Sequence, residues 1–177
     1  EVKNFDSTRF CEVFSKTPNG DGCCVLVDLL SGEETHIVND SAKMKNFYEK
    51  HKNFIWCGYN SRSYDSNILK GILLDIEPKI MNDWLIEKDR KAFELDKRIG
   101  EIQLFGFDVM YSKMLSLKRL EAFMGDDIEE TKVPFNTTKT LSEDDWKSVL
   151  YYCAHDVYET IKVMTKSKTE WDAQWSR

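Results

Sequence analysis

The sequence predicts an α/β domain: a mixed sheet, antiparallel strands first and then parallel strands, with helices on its faces. Two observations carry this. Strand-like runs separated by turn clusters fill the first forty residues, and beyond them helical periodicities alternate with short apolar runs.

Phe10 to Phe14 is a short apolar run, followed by Thr17-Pro18-Asn19-Gly20-Asp21-Gly22, residues that tolerate the backbone angles of a tight turn. Cys23 to Leu30 is a second β-rich run, Ser31-Gly32-Glu33-Glu34 turns the chain again, and Thr35 to Val38 reads as a third strand. Two successive hairpins make three antiparallel strands. Asp40 and Ser41 then cap a helix over 42–51, with Met44, Phe47 and Tyr48 at helical spacing. Phe54 to Tyr59 is the short apolar run of a buried strand. The turn Asn60-Ser61-Arg62-Ser63 follows, then a helix carrying Ile68, Leu69, Ile72 and Leu73. Pro78 opens a charged helix expected to reach about Arg98, and 102–107 is expected to be another strand. Ser116 caps an amphipathic helix, Leu117 to Met124, that stops at Gly125. The last helix begins at Ser142, with Asp145 three residues on in an acidic variant of the capping box.

These elements amount to one compact domain over 1–177, without internal repeats or low-complexity segments. Apolar residues make up 41% and charged residues 32%, a globular balance rather than a disordered one. No run approaches the ~20 apolar residues of a bilayer span, and the N-terminus lacks a signal-peptide pattern. We therefore expect an intracellular protein without membrane contact: cytoplasmic, or in the host cytoplasm for a viral one. The five cysteines, Cys11, Cys23, Cys24, Cys57 and Cys153, form no CxxC and sit mostly in apolar runs, as buried reduced thiols do. A net charge of −6 argues against a general phosphate-binding surface. It leaves room for a site that concentrates carboxylates to hold divalent metals, which then face the phosphate.

Two places combine such residues. On the last helix, Trp146, Val149, Leu150, Cys153, Val157, Ile161 and Met164 form the core-facing stripe. Tyr152 and Asp156 lie four apart, hence side by side, and Asp156 borders that stripe. A carboxylate at the edge of a core is costly without a partner or a metal; the plain alternative is a solvated helix aspartate. In Gly58-Tyr59-Asn60-Ser61-Arg62-Ser63-Tyr64-Asp65, an apolar strand ends in an Asn-containing turn and Asp65 enters the first turn of a helix. Asp65 there either complements the helix dipole or projects from a strand end, where α/β folds place their sites.

In order and spacing, Asn60…Asp65 after a buried strand, the Leu-Lys-x-Leu helix ending at Gly125, and Tyr152-x-x-x-Asp156 resemble the second and third exonuclease motifs of the RNase H-like 3′–5′ exonucleases. The likeness is to the branch with four acidic ligands and a tyrosine, as attached to family A DNA polymerases of the phage type. Val133-Pro134-Phe135-Asn136, Leu141-Ser142-Glu143 and Tyr151-Tyr152-Cys153-Ala154-His155-Asp156-Val157 are similar to that group's run into the third motif. The first motif of the family is Asp-x-Glu on the first strand. Glu1 precedes the Phe10 strand by the family's spacing, so Glu1 resembles the Glu of that motif and its aspartate would lie two positions upstream. The chain is accordingly expected to be a fragment cut within the first strand. The histidine branch of the family would need histidine at 151, where Tyr151 stands. His36, His51 and His155 read as surface or packing residues, and Asp108 resembles a position near the site that is not a ligand.

The resemblance implies an RNase H-like fold and two-metal hydrolysis of the terminal phosphodiester of DNA, a proofreading activity. Glu1, Asp65 and Asp156 would hold two Mg²⁺ or Mn²⁺ ions, and Tyr152 would orient the attacking water. Asn60 would position the strand or hold the Asp65 loop. Tyr59 and Tyr64 are candidates to stack on the terminal base, or for the core. The partner would be a single-stranded DNA 3′ end, and residues 167–177 would begin a helix leading to a polymerase domain. A catalytically inactive RNase H-like structural or DNA-binding module, and an RNA-trimming exonuclease, are the alternatives.

Overall fold

The computed structural model describes residues 8–16 (as backbone), 22–110, 116–126, 133 and 140–166. Five strands, β1 (Thr8–Lys16), β2 (Gly22–Asp28), β3 (Glu34–Val38), β4 (Ile55–Gly58) and β5 (Gly106–Asp108), form one sheet in the order β3-β2-β1-β4-β5. The first three run antiparallel, with Phe14 opposite Cys24 and Cys24 opposite Ile37. β4 joins β1 in parallel, Cys57 opposite Cys11, and β5 joins β4 in parallel, Asp108 opposite Gly58. The expected mixed sheet is present, and β1 sits in its middle.

Helices cover both faces. α1 (Ser41–His51) and α2 (Asp65–Leu73) pack on one side, α6 (Leu117–Met124) and α7 (Glu143–Lys166) on the other. β2 shows why its sequence reads as one apolar run. Cys23, Val25 and Val27 enter the core under α7, while Cys24 and Leu26 enter the core under α1 and α2. A strand buried on both faces loses its polar alternation.

Local signals set the helix ends. The Asp40 carboxylate accepts the Lys43 N–H at 2.8 Å to start α1. Ser116 Oγ accepts the Arg119 N–H at 3.3 Å, and Gly125 closes α6 at φ 78°. Ahead of α7, Ser142 Oγ accepts the Asp145 N–H at 3.2 Å while the Asp145 carboxylate accepts the Ser142 N–H at 2.9 Å, a reciprocal cap.

Two expectations are corrected. The charged helix from Pro78 is broken into α3 (Pro78–Asn82), one π turn over Asp83–Glu87, α4 (Ala92–Leu95) and α5 (Arg98–Glu101). The segment Lys88-Asp89-Arg90-Lys91 offers no apolar side chain to hold a helix on the core, and Asp89 turns left-handed at φ 47°. Trp84 Nε1–H donates to the Lys91 carbonyl at 3.0 Å, which draws the chain back on itself. The strand expected over 102–107 is confined to Gly106–Asp108. Ile102 to Phe105 alternate half-buried and exposed as a strand would, but the ladder with β4 pairs only Gly106, Phe107 and Asp108. Gly106 is required at its start, because a Cβ there would lie 2.9 Å from the Trp56 carbonyl oxygen.

Among the described cysteines, Cys23, Cys24, Cys57 and Cys153 are buried thiols, as expected. No described helix is long and apolar enough to cross a membrane.

Candidate active site

α7 lays Val149, Cys153, Val157 and Met164 on the sheet, and this fixes its rotation. Cys153 Sγ sits 3.8 Å from Cys23 Sγ, and Cys57 Sγ is 3.9 Å from Met164 Sδ, so the helix runs diagonally from β2 to β4. That rotation leaves Tyr152 and Asp156 half-buried at the border of the core. The Tyr152 hydroxyl donates to the Asp156 carboxylate, and Lys118 from α6 stands 5.9 Å over the Tyr152 ring. Burial pushes the Asp156 carboxyl up to about 6; the Tyr152 bond pulls it down and the nearby Glu121 carboxylate pushes it further up. Burial, and then Asp156, raise the Tyr152 phenol, so it stays protonated at neutral pH and acts as a donor.

Asp65 stands where the chain leaves β4 and enters α2. It is the first residue of the helix and 4% exposed. The turn before it is held from several sides. Asn60 adopts a left-handed φ of 57° and its carbonyl accepts the Ser63 N–H at 3.1 Å. Ser61 Oγ donates to the Phe107 carbonyl at 3.2 Å. The buried Asp108 accepts the Arg62 N–H at 3.0 Å and the Met110 N–H at 3.0 Å. Asp108 is thus an anchor of the Asp65 turn. Tyr59 packs into the core under α7 and Tyr64 into the core under α2, its hydroxyl donating to Asn82 Oδ1 at 2.8 Å. Asn60 itself is exposed.

The structure therefore brings Tyr152 together with Asp156, and Asp65 together with the ends of β4 and β5. The two groups ride on helices that cover opposite faces of the sheet, and both helices pack against β1. Glu1 lies outside the described residues, as do 167–177 and most of the run from Val133 to Leu141. The first described strand, Thr8–Lys16, carries one acidic residue, Glu12, and no aspartate. Among the described residues no three His, Cys, Asp or Glu side chains are grouped to hold a metal. The donor chemistry fits a hard divalent cation at Asp156, a half-buried carboxylate raised by burial.

One cluster escaped the sequence reading. Glu121 on α6 is 1% exposed with neither carboxylate oxygen hydrogen-bonded, and burial raises its carboxyl above the ordinary range. It faces α7, where His155 Nε2 and Glu159 Oε2 are also buried without a partner. Lys162 joins Glu159 and lies 3.6 Å from Asp126. His155, read as a surface or packing residue, belongs to this polar seam. The signal was present: Leu117, Leu120 and Met124 mark the buried stripe of α6, and Glu121 occupies the fourth place of that stripe.

Comparison of the chain with family models, with curated proteins and with solved structures found no match.

Proposed function

We propose that this chain is an RNase H-like 3′–5′ exonuclease domain that trims the 3′ end of DNA, as the proofreading part of a polymerase. The hydrogen-bonded Tyr152–Asp156 pair carries the reading: a carboxylate kept at a core edge, at a cost in solvation, beside a phenol that stays protonated. Asp65 supports it, buried at a strand end with its turn tied down by Asp108. The strand order, three antiparallel strands and then two parallel ones with β1 central, is compatible with the fold that the motifs resemble.

Asp65 and Asp156, with Glu1, would hold two Mg²⁺ or Mn²⁺ ions, which when bound supply Lewis-acid activation of water and stabilisation of the leaving oxygen. The chain's own residues do the rest. Tyr152 presents a hydroxyl that orients rather than deprotonates. Asn60, exposed at the turn, is placed to touch the strand. Tyr59 and Tyr64 brace the turn from the two cores, which leaves base stacking to other side chains.

In the intact protein, Asp65→Ala and Asp156→Ala each abolish Mg²⁺-dependent trimming of a single-stranded DNA oligomer, and Tyr152→Phe lowers it. Undiminished activity in either aspartate variant overturns the assignment. An RNA oligomer of the same sequence, trimmed faster than DNA, makes the enzyme an RNA-trimming one. The rival reading is a non-catalytic RNase H-like module that binds nucleic acid. Calorimetric titration with Mn²⁺ separates the two, since only the nuclease takes up two ions.

A further inference from the structure

We propose that the cleft between the start of α2 and the 83–100 segment binds the phosphate backbone of single-stranded nucleic acid and leads it to the Asp65 turn. The cleft has a volume of about 480 Å³. Arg62, Lys70, Arg90 and Lys91 line it, against one carboxylate, Asp89. That is three net positive charges (four cations less one anion) in a chain whose net charge is −6.

None of the four cations makes an ion pair with a described carboxylate, whereas Lys45, Lys52, Lys79, Arg98, Lys147 and Lys162 each do. Clustered basic groups left without counter-charges by the protein are the footprint of a polyanion site. Lys70 is partly withdrawn from water, and burial lowers its ammonium, a cost that a bound phosphate would offset.

The cleft is also built for a strand rather than a free ion. Phe93, at its rim, is 50% exposed, a platform on which an unstacked base can lie. Lys91 Nζ stands 6.0 Å over that ring, next to where the backbone of a stacked nucleotide would pass. The Arg90 guanidinium is held 5.0 Å over Trp84, which orients it before any ligand arrives. The wall that carries these groups follows the π turn Asp83–Glu87, the irregular form that often marks functional sites in helices. Asn60, Arg62 and Ser63 belong both to the cleft and to the turn ahead of Asp65, so the two are continuous. The direction of the strand, its 3′ end toward Asp65, rests on the exonuclease reading; the cleft itself does not.

The test is binding of a fluorescent single-stranded DNA oligomer in EDTA over a range of salt, with the folded state of each variant checked by circular dichroism. Single strands release counterions with a slope near 0.7 per phosphate contacted. Arg90→Gln with Lys91→Gln should reduce the salt slope by about 1.4 and weaken binding by about tenfold at low salt. Phe93→Ala should weaken binding with the slope unchanged. Lys45→Gln with Lys52→Gln, two paired cations elsewhere, should change neither. Unchanged binding by the Arg90/Lys91 variant overturns the proposal, as does a duplex bound more tightly than the single strand. An intact protein that binds through this cleft but trims no 3′ end keeps the cleft and loses the nuclease. Mg²⁺-dependent trimming with binding indifferent to Arg90 and Lys91 does the reverse.

Discussion

The Asp108 carboxylate, at the end of β5, accepts the Arg62 backbone N–H across 3.0 Å and so ties an edge strand to the turn that delivers Asp65. Its other oxygen accepts the Met110 N–H. Asp108→Asn keeps the shape but presents a single acceptor oxygen, leaving one amide facing an NH₂ group. We expect a loss of about 1–2 kcal/mol in urea denaturation. An unchanged midpoint would mean that water replaces the lost acceptor.

The pH dependence follows from Asp156. Burial raises its carboxyl from 3.8 to about 6, so between those values the folded chain holds a proton that the unfolded chain has released. Stability then falls as pH rises through that window and levels off above it. Asp156→Asn removes the titration while keeping an acceptor for Tyr152. The variant should match the wild type near pH 4 and exceed it by about 1–2 kcal/mol at pH 7, the carboxylate being only half-buried. Parallel stability curves across the range would refute the burial argument.

Glu121 is the complementary case, a buried carboxyl with no hydrogen bond to justify its position. Glu121→Met fills the same space with an apolar chain. It should stabilise the fold at pH 7 by about 1–2 kcal/mol in thermal or urea unfolding. Because the Glu121 charge also pushes the Asp156 carboxyl up, the same variant should move the Asp156 titration to lower pH by carbon-detected NMR. A less stable variant would show that Lys118 and His155 more than compensate for its burial.

Gly106→Ala tests the close approach of β5 to β4. The added Cβ would stand 2.9 Å from a backbone oxygen, which has no rotamer to yield. A cost of about 1–3 kcal/mol is expected, with loss of amide protection at Trp56, whose N–H donates to the Phe105 carbonyl at 2.9 Å. Wild-type stability would show that the edge strand shifts freely.

The sheet and most helix ends were legible because their causes are local: Ser116 with Gly125, Ser142 with Asp145, and the alternating turn clusters of the first hairpins. The 78–101 region was not, since its course depends on Trp84 reaching back to Lys91 and on the absence of an apolar stripe at 88–91. Tyr152 beside Asp156 was readable from helical spacing alone. The anchoring role of Asp108, and Glu121 facing His155, needed the third dimension. One arises from two parallel strands ending together, the other from two helices meeting with polar residues in their seam.

The contact of Cys23 with Cys153 joins residues 130 positions apart, whereas the β1–β2 and β2–β3 pairings close within a few residues. Docking of the final helix therefore closes the widest of these separations, and its release is the opening that returns the most chain entropy. A chain in that opened form would keep its three-stranded meander yet strand Tyr152 and Asp156 away from the sheet. The Tyr152–Asp156 pair would then be lost earlier than the fold, and hydrogen exchange should find the 149–164 amides labile while those of Cys24 to Val27 remain protected.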